Sequence, residues 1–136
     1  MAAVLLCSAV WASDEVVEPG TYEITAQIVM PHLEENLRYA TTRERRCLRS
    51  HELPSVFPVL HHQSLDGCKL GNASRHGDAI HYLLVCESPA VATGIARLHA
   101  GPARITGILE IKMGGKNMTF SQRIEAVRQG GCERAP

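Results

Sequence analysis

The cysteines are the residues with the clearest chemical meaning in this chain. Cys47, Cys68, Cys86 and Cys132 lie in its body, and none stands in the Cys-x-x-Cys spacing of dithiol redox enzymes and zinc knuckles. We therefore predict that all of them form structural disulfides, for which three pairings exist. Cys47 would end one strand and Cys68 would begin the next, which favours the pairs Cys47–Cys68 and Cys86–Cys132. The other two pairings stay open.

The chain also holds 7 histidines, a large share for its length. A metal site needs two or more of them to converge, preferably at a spacing fixed by a helix or strand. Neighbours in a strand point to opposite faces, and no carboxylate stands at ligand spacing from the adjacent pair. We expect scattered surface histidines, with a histidine-dependent metal-binding protein as the alternative function. The histidines are His32, His51, His61, His62, His76, His81 and His99.

Catalytic motifs are missing from the sequence. It contains neither a Gly-x-Ser-x-Gly elbow nor a glycine-rich loop before a helix, so nucleophilic catalysis and phosphate binding find no support. The carboxylates Glu23, Glu110 and Glu125 fall at outward positions of predicted strands, where solvation explains them. We predict a non-enzymatic protein with no catalytic residue, no cofactor and no metal ligand.

The N-terminal segment resembles a signal peptide. Residues 2–10 are almost wholly apolar, and Val10-Trp11-Ala12 offers small or compact residues, Val10 and Ala12, at the positions that a signal peptidase reads, although no Lys or Arg precedes the run. Cleavage would remove residues 1–12, including Cys7, and leave one domain at 13–136. The apolar run is too short for a membrane span, which takes roughly 20 residues. We predict a periplasmic or secreted protein, because disulfides persist in oxidising compartments.

Charge and composition exclude further classes of partner. Lys+Arg and Asp+Glu number 14 each, so no net field attracts nucleic acid. Aromatic residues make up 4% of the chain, too few for a face that stacks rings on sugars or bases. The local basic run 43–46 is typical of a solvated strand edge, and a partner could add a strand there.

Alternating hydrophobicity predicts the strands. Tyr22, Ile24, Ala26, Ile28 and Met30 share one face of a first strand, and a weaker edge strand follows at 37–47. Short turns then separate candidate strands at 68–74, 79–86, 93–100, 104–113 and 118–128.

These elements predict an all-β fold. About seven antiparallel strands in a meander would form a curled sheet or a small barrel. One short helix at 51–57, capped by Ser50, interrupts the strands, and residues 60–67 would be loop. An interior void of several hundred Å³ would favour a ligand carrier, and a filled interior would favour a partner-binding role.

Short motifs at both ends of the chain and the order of the cysteines form one pattern. It consists of Pro19-Gly20-Thr21-Tyr22-Glu23, Cys47-Leu48, Cys68, Cys86 and Gly130-Gly131-Cys132. This pattern resembles an exported bacterial family catalogued as domain of unknown function 3617. Members of that family open with a Pro-Gly-x-Trp-Glu strand after a signal peptide, carry a Cys-Leu-Thr-Pro-Glu-like step and end in a Gly-x-Cys-like motif.

This chain departs from the family pattern in two places. Tyr22 replaces the usual Trp, and Arg49-Ser50-His51-Glu52 replaces the Thr-Pro-Glu step. The resemblance, which runs from Pro19 to Cys132, implies an exported compartment and an architecture, and it implies no activity. We expect a binding protein, either for a small apolar ligand within the barrel or for a protein partner in the cell envelope.

Overall fold

The computed structural model describes residues 17–29, 41–88, 91–114 and 118–132. Within them the chain forms seven antiparallel strands in one curled sheet, which confirms the all-β prediction. The predicted signal peptide, residues 1–12, and the start of the predicted edge strand lie outside the described residues. The strands are β1 Gly20–Val29, β2 Thr41–Leu48, β3 Cys68–His76, β4 Ala79–Cys86, β5 Ala92–Ala100, β6 Arg104–Met113 and β7 Met118–Gly130.

The strand order is β2-β1-β7-β6-β5-β4-β3, so the sheet is open. Strands β3 to β7 form the predicted meander, and β1 then pairs with β7 while β2 lies outside β1. Strands β2 and β3 are the two edges and do not pair with each other. The barrel alternative is therefore wrong, and the curled-sheet alternative is right.

One face of the sheet, here called the inner face, carries the core. Period-two alternation places apolar side chains opposite one another across the strands, so that Ile24 faces Ala126 and Ala126 faces Ile105. All three are fully buried. Within the described residues no helix is long and apolar enough to cross a membrane.

The connection from β2 to β3 covers the inner face. Three 3-10 turns, Ser50–Ser55, Pro58–His61 and Gln63–Leu65, replace the predicted single helix and the loop after it. Proline lacks the backbone N–H that a longer helix needs, and Pro54 and Pro58 fall inside this stretch. The predicted cap is also wrong, because Arg49 occupies the N-cap position and no side chain caps the turn. We call residues 50–65 the 3-10 segment.

The 3-10 segment fills the space above the inner face with its own side chains. Leu53, Val56 and Phe57 are at most 1% exposed. Phe57 lies over Gly107 of β6, where a Cβ atom would come within 3.2 Å of the Phe57 ring. The backbone N–H of Val59 donates to Oε1 of Gln122 at 3.0 Å, which fixes the segment to β7.

The disulfides join Cys47 to Cys132 and Cys68 to Cys86, with Cα–Cα distances of 5.3 and 3.9 Å. The favoured pairing of Cys47 with Cys68 is wrong, because the 3-10 segment carries the chain from one edge of the sheet to the other. Cys68 lies directly opposite Cys86 in the β3–β4 ladder. Cys47 reaches Cys132 past Thr21 of β1, which pairs with Cys47 on one side and Gly130 on the other.

Candidate functional site

The outer face, which carries the side chains opposite the core positions, is apolar on part of β4 and β5. Along β4 the inner residues Tyr82 and Leu84 alternate with the outer residues Leu83 and Val85, which are also apolar. Leu83, Val85 and Ile95 are 47%, 41% and 44% exposed. Leu83 lies directly opposite Ile95, so these residues form one continuous surface, here called the outer patch.

A cavity of about 750 Å³ adjoins the outer patch. Its outer-face residues form two rows across the strands. One row runs from Leu83 through Ile95, Glu110 and Ser121 to Val29, and the other contains Thr93, Lys112 and Thr119. With strands about 4.8 Å apart, the first row extends roughly 19 Å over five strands. We call this cavity the outer groove; backbone or inner-face residues Leu84, Gly94, Ile111 and Phe120 complete its lining.

Gly94 permits a close approach of two strands beneath the outer groove. A Cβ atom at this position would lie 2.6 Å from the carbonyl oxygen of Glu110 and 3.3 Å from Cβ of Leu84. Both distances are shorter than a comfortable van der Waals contact. β5 and β6 therefore come nearer to each other at this point than a side chain would allow.

The two halves of the outer groove differ in polarity. Leu83 and Ile95 make the β4–β5 half apolar, whereas the β6–β7 half presents Glu110, Lys112 and hydroxyl groups. Neither Glu110 nor Lys112 forms an ion pair within the described part of the chain. Elsewhere on the outer face Arg104 pairs with Glu125 at 2.6 Å and Arg45 with Glu23 at 3.6 Å. The groove therefore combines an apolar surface with charges that form no ion pair with another side chain of the described residues.

The predicted carboxylates thus have different surroundings. Glu23 and Glu125 lie on the outer face in the ion pairs just described. Glu110 is exposed and lines the outer groove. Nucleophilic groups in the groove are the hydroxyls of serine and threonine, and none of the described histidines lines it. The charged and hydroxyl side chains of the groove can therefore form ion pairs and hydrogen bonds with a ligand.

The histidines are dispersed over the described structure. Nε2 of His61 lies 3.2 Å from the carbonyl oxygen of Ser55, and Nδ1 of His62 accepts a hydrogen bond from the Ser64 N–H. The rings of His76 and His81 are 5.5 Å apart at the β3–β4 hairpin. Across residues 17–29, 41–88, 91–114 and 118–132, no three His, Cys, Asp or Glu residues are placed to hold a metal ion. His32 lies outside the described residues.

Two buried tyrosines belong to the inner face. Burial raises the pKa of Tyr82, which lies between Ile80 and Leu84 on β4. Burial also raises the pKa of Tyr22, an effect that the Arg128 guanidinium partly opposes. The Tyr22 hydroxyl donates to the carbonyl oxygen of Glu18 at 2.7 Å. Both phenols are therefore neutral core groups at physiological pH.

The basic run predicted to lie on a strand edge is located on β2. Arg43, Glu44 and Arg45 are exposed and, with Glu23 of β1, line a shallow hollow of about 340 Å³. Arg46 points to the inner face, where its Nη2 donates to the carbonyl oxygen of Ser55 at 3.0 Å. Of the described strands, β1 is the neighbour of β2.

Sequence reasoning missed the outer groove, although a signal for it was present. The segment Tyr82-Leu83-Leu84-Val85 is apolar throughout, whereas a strand with one solvent-exposed face should alternate apolar and polar residues. Ile95 likewise falls at an outward position of β5, between the inner residues Gly94 and Ala96. These breaks in alternation mark apolar residues that face solvent.

The open sheet, the covering 3-10 segment and the two disulfides define a small cross-linked all-β domain. A family model described as a protein of unknown function (DUF3617) matches residues 17–132. The chain belongs to this family. No curated protein and no solved structure matches the chain.

Proposed function

We propose that this protein is an exported, non-enzymatic domain that binds a small apolar ligand in the outer groove. The observation that carries the proposal is the volume of about 750 Å³ beside the exposed, directly paired Leu83 and Ile95. Small-molecule sites typically enclose about 300–1,000 Å³ and combine an apolar lining with a few polar groups. The outer groove has this size and this composition.

Export to a bacterial periplasm or to the medium is part of the same proposal. The apolar segment at residues 2–10 and the small or compact residues Val10 and Ala12 on either side of Trp11 support it. The two disulfides are compatible with an oxidising compartment.

The groove, and not the sheet interior, is the proposed site. An interior site requires space between the inner face and its cover, and here Phe57, Leu53 and Tyr22 fill that space with fully buried side chains. The outer face has no such cover over Leu83 and Ile95 in the described structure. A ligand there would remove from water apolar surface that the fold leaves exposed.

A neutral fluorescent probe tests the proposal. N-phenyl-1-naphthylamine, which brightens in apolar surroundings, should bind the oxidised protein saturably with one site per chain. Replacing Leu83 and Ile95 together by serine should weaken binding about tenfold or more, since each apolar contact contributes on the order of 1 kcal/mol. Both side chains are almost half exposed, so the fold should survive.

Val127 supplies the matched control. It is 37% exposed, lies on the outer face of β7 and does not line the outer groove. Val127→Ser should leave probe binding unchanged. Absence of saturable binding to the unmodified protein, or equal binding by the Leu83/Ile95 double variant, would contradict the proposal.

A protein partner in the cell envelope is the second candidate, and both the filled interior and the exposed residues of the β2 edge favour it. Arg43 and Arg45 there would suit an acidic extended segment that adds a strand to the sheet. This role depends on β2, which does not line the outer groove and is separated from Leu83 and Ile95 by β1, β7 and β6. It would therefore survive the Leu83/Ile95 double substitution that removes binding of the apolar probe.

A further inference from the structure

The charges around the outer groove are unequal, although the whole chain has a formal net charge of zero. On the outer face of β5, β6 and β7, Arg104 and Glu125 neutralise each other through their 2.6 Å ion pair. Arg97, Lys112 and Arg123 remain against the single carboxylate of Glu110. All four side chains are exposed and without an ion-pair partner in the described part of the chain.

These charges lie close to the outer groove. Lys112 lines it, on the same strand and the same face as Glu110. Arg97 and Arg123 lie on either side of Ile108, which is the next outer-face residue of β6 beyond Glu110. The groove lining itself therefore carries one charge of each sign on β6, the described surface beside it adds the two positive charges of Arg97 and Arg123, and the β4–β5 part of the lining is apolar.

We infer that the ligand is an anionic single-chain amphiphile, such as a fatty acid, bound with its hydrocarbon chain on Leu83 and Ile95 and its acidic head group at Lys112. This inference rests on the proposed function, because it names the ligand class of the same groove. Such a molecule has a charged head group for the β6–β7 half of the groove and an apolar chain for the β4–β5 half. Arg97 and Arg123, which flank Ile108 on the other side of Glu110 from Lys112, add positive charge to the same face, and Glu110 selects against a second negative charge.

Competition between three amphiphiles of equal chain length tests the inference. Dodecanoate, dodecan-1-ol and dodecylammonium, each below its micellar concentration, are used to displace bound N-phenyl-1-naphthylamine from the oxidised protein. Dodecanoate should displace the probe at a concentration at least about threefold lower than dodecan-1-ol and lower still than dodecylammonium, as expected for one exposed ion pair. Added salt should narrow these differences, because it screens exposed charges.

Two substitutions in the groove should act with opposite sign. Lys112→Gln should weaken dodecanoate binding by about three- to fivefold, the range of an exposed ion pair. Glu110→Gln should strengthen it, because a repelling carboxylate is removed. Neither should change the affinity for dodecan-1-ol, which carries no charge. Arg49→Gln, a change of an exposed cation away from the groove, is the control and should have no effect.

The outcomes separate the inference from the proposed function. If the probe binds at Leu83 and Ile95 but the three amphiphiles compete equally, the anionic ligand class is wrong and the groove remains a binding site. If the probe does not bind, the proposed function itself fails. Binding to anionic phosphatidylglycerol vesicles without binding of monomeric dodecanoate would overturn the inference in favour of a membrane surface. Dimer formation that Leu83→Ser abolishes would overturn it in favour of a second copy of the chain.

Discussion

Gln122 connects the 3-10 segment to the sheet at the level of a single side chain. It is 2% exposed and is the polar residue that the described core buries. Its Oε1 accepts the N–H of Val59, a backbone group in the first residues of the Pro58–His61 turn, where the turn itself supplies no acceptor. A buried polar group needs such a partner, because leaving it unpaired costs about 1–3 kcal/mol.

Replacing Gln122 by methionine should therefore destabilise the protein by about 1–3 kcal/mol, since the volume is kept and the acceptor is lost. Urea unfolding of the oxidised protein measures this change. Gln129→Met, at an exposed position of the same strand, is the control and should lie within about 0.5 kcal/mol of the unmodified protein. Equal stability of the Gln122 variant would show that the hydrogen bond to Val59 does not hold the segment in place.

Single residues also show where sequence reasoning succeeded and failed. The alternation of Ile24, Ala26 and their neighbours predicted the inner face, because a strand with one buried and one solvent-exposed face has apolar residues at every second position. Leu83 and Ile95 break that alternation, and a one-dimensional pattern does not show that the two lie opposite each other. Only strand register brings them together, and register depends on contacts distant in sequence.

At the level of elements, the path from β2 to β3 decides much of the fold. Sequence predicted all seven of the described strands, and β4 and β6 match their predicted bounds. It did not predict that the connection crosses the inner face, because a crossing is specified by long-range packing such as that of Phe57 over Gly107. The wrong disulfide pairing follows from that one omission, since the crossing separates Cys47 from Cys68.

The two disulfides should contribute unequally to stability. They close chain segments with sequence separations of 85 and 18 residues. In the chain-entropy model, removing the longer cross-link costs about 4–5 kcal/mol and removing the shorter one about 3 kcal/mol. We expect the Cys47→Ala, Cys132→Ala variant to be less stable than the Cys68→Ala, Cys86→Ala variant by about 1 kcal/mol in urea unfolding.

Peptide mapping under non-reducing conditions is the control for that comparison, because it establishes which cysteines are joined in each variant. Equal losses, or a larger loss for the Cys68–Cys86 pair, would contradict the assignment of the larger constraint to Cys47–Cys132. Free thiols in the unmodified, denatured protein would contradict the structural role of both bridges.

At the level of the whole molecule, the open sheet has two unlike faces. The inner face is covered by the chain's own 3-10 segment, and the outer face keeps the outer patch in water. The fold class could be predicted from the sequence, because the alternation of apolar and polar residues determines it. Whether the sheet closes into a barrel could not be predicted in the same way. Closure depends on whether β2 pairs with β3, and alternation within a strand carries no information about its neighbours.

Methyl chemical shifts test directly whether the ligand binds on the outer face. The protein carrying ¹³C-labelled Leu, Val and Ile methyl groups is titrated with dodecanoate. We expect progressive, saturable shifts of Leu83, Val85 and Ile95, with much smaller shifts of the inner-face residues Leu98 and Ile105, which are fully buried. Shifts concentrated on Leu98, Ile105 and the 3-10 segment, or no saturable shifts, would contradict the outer groove as the binding site.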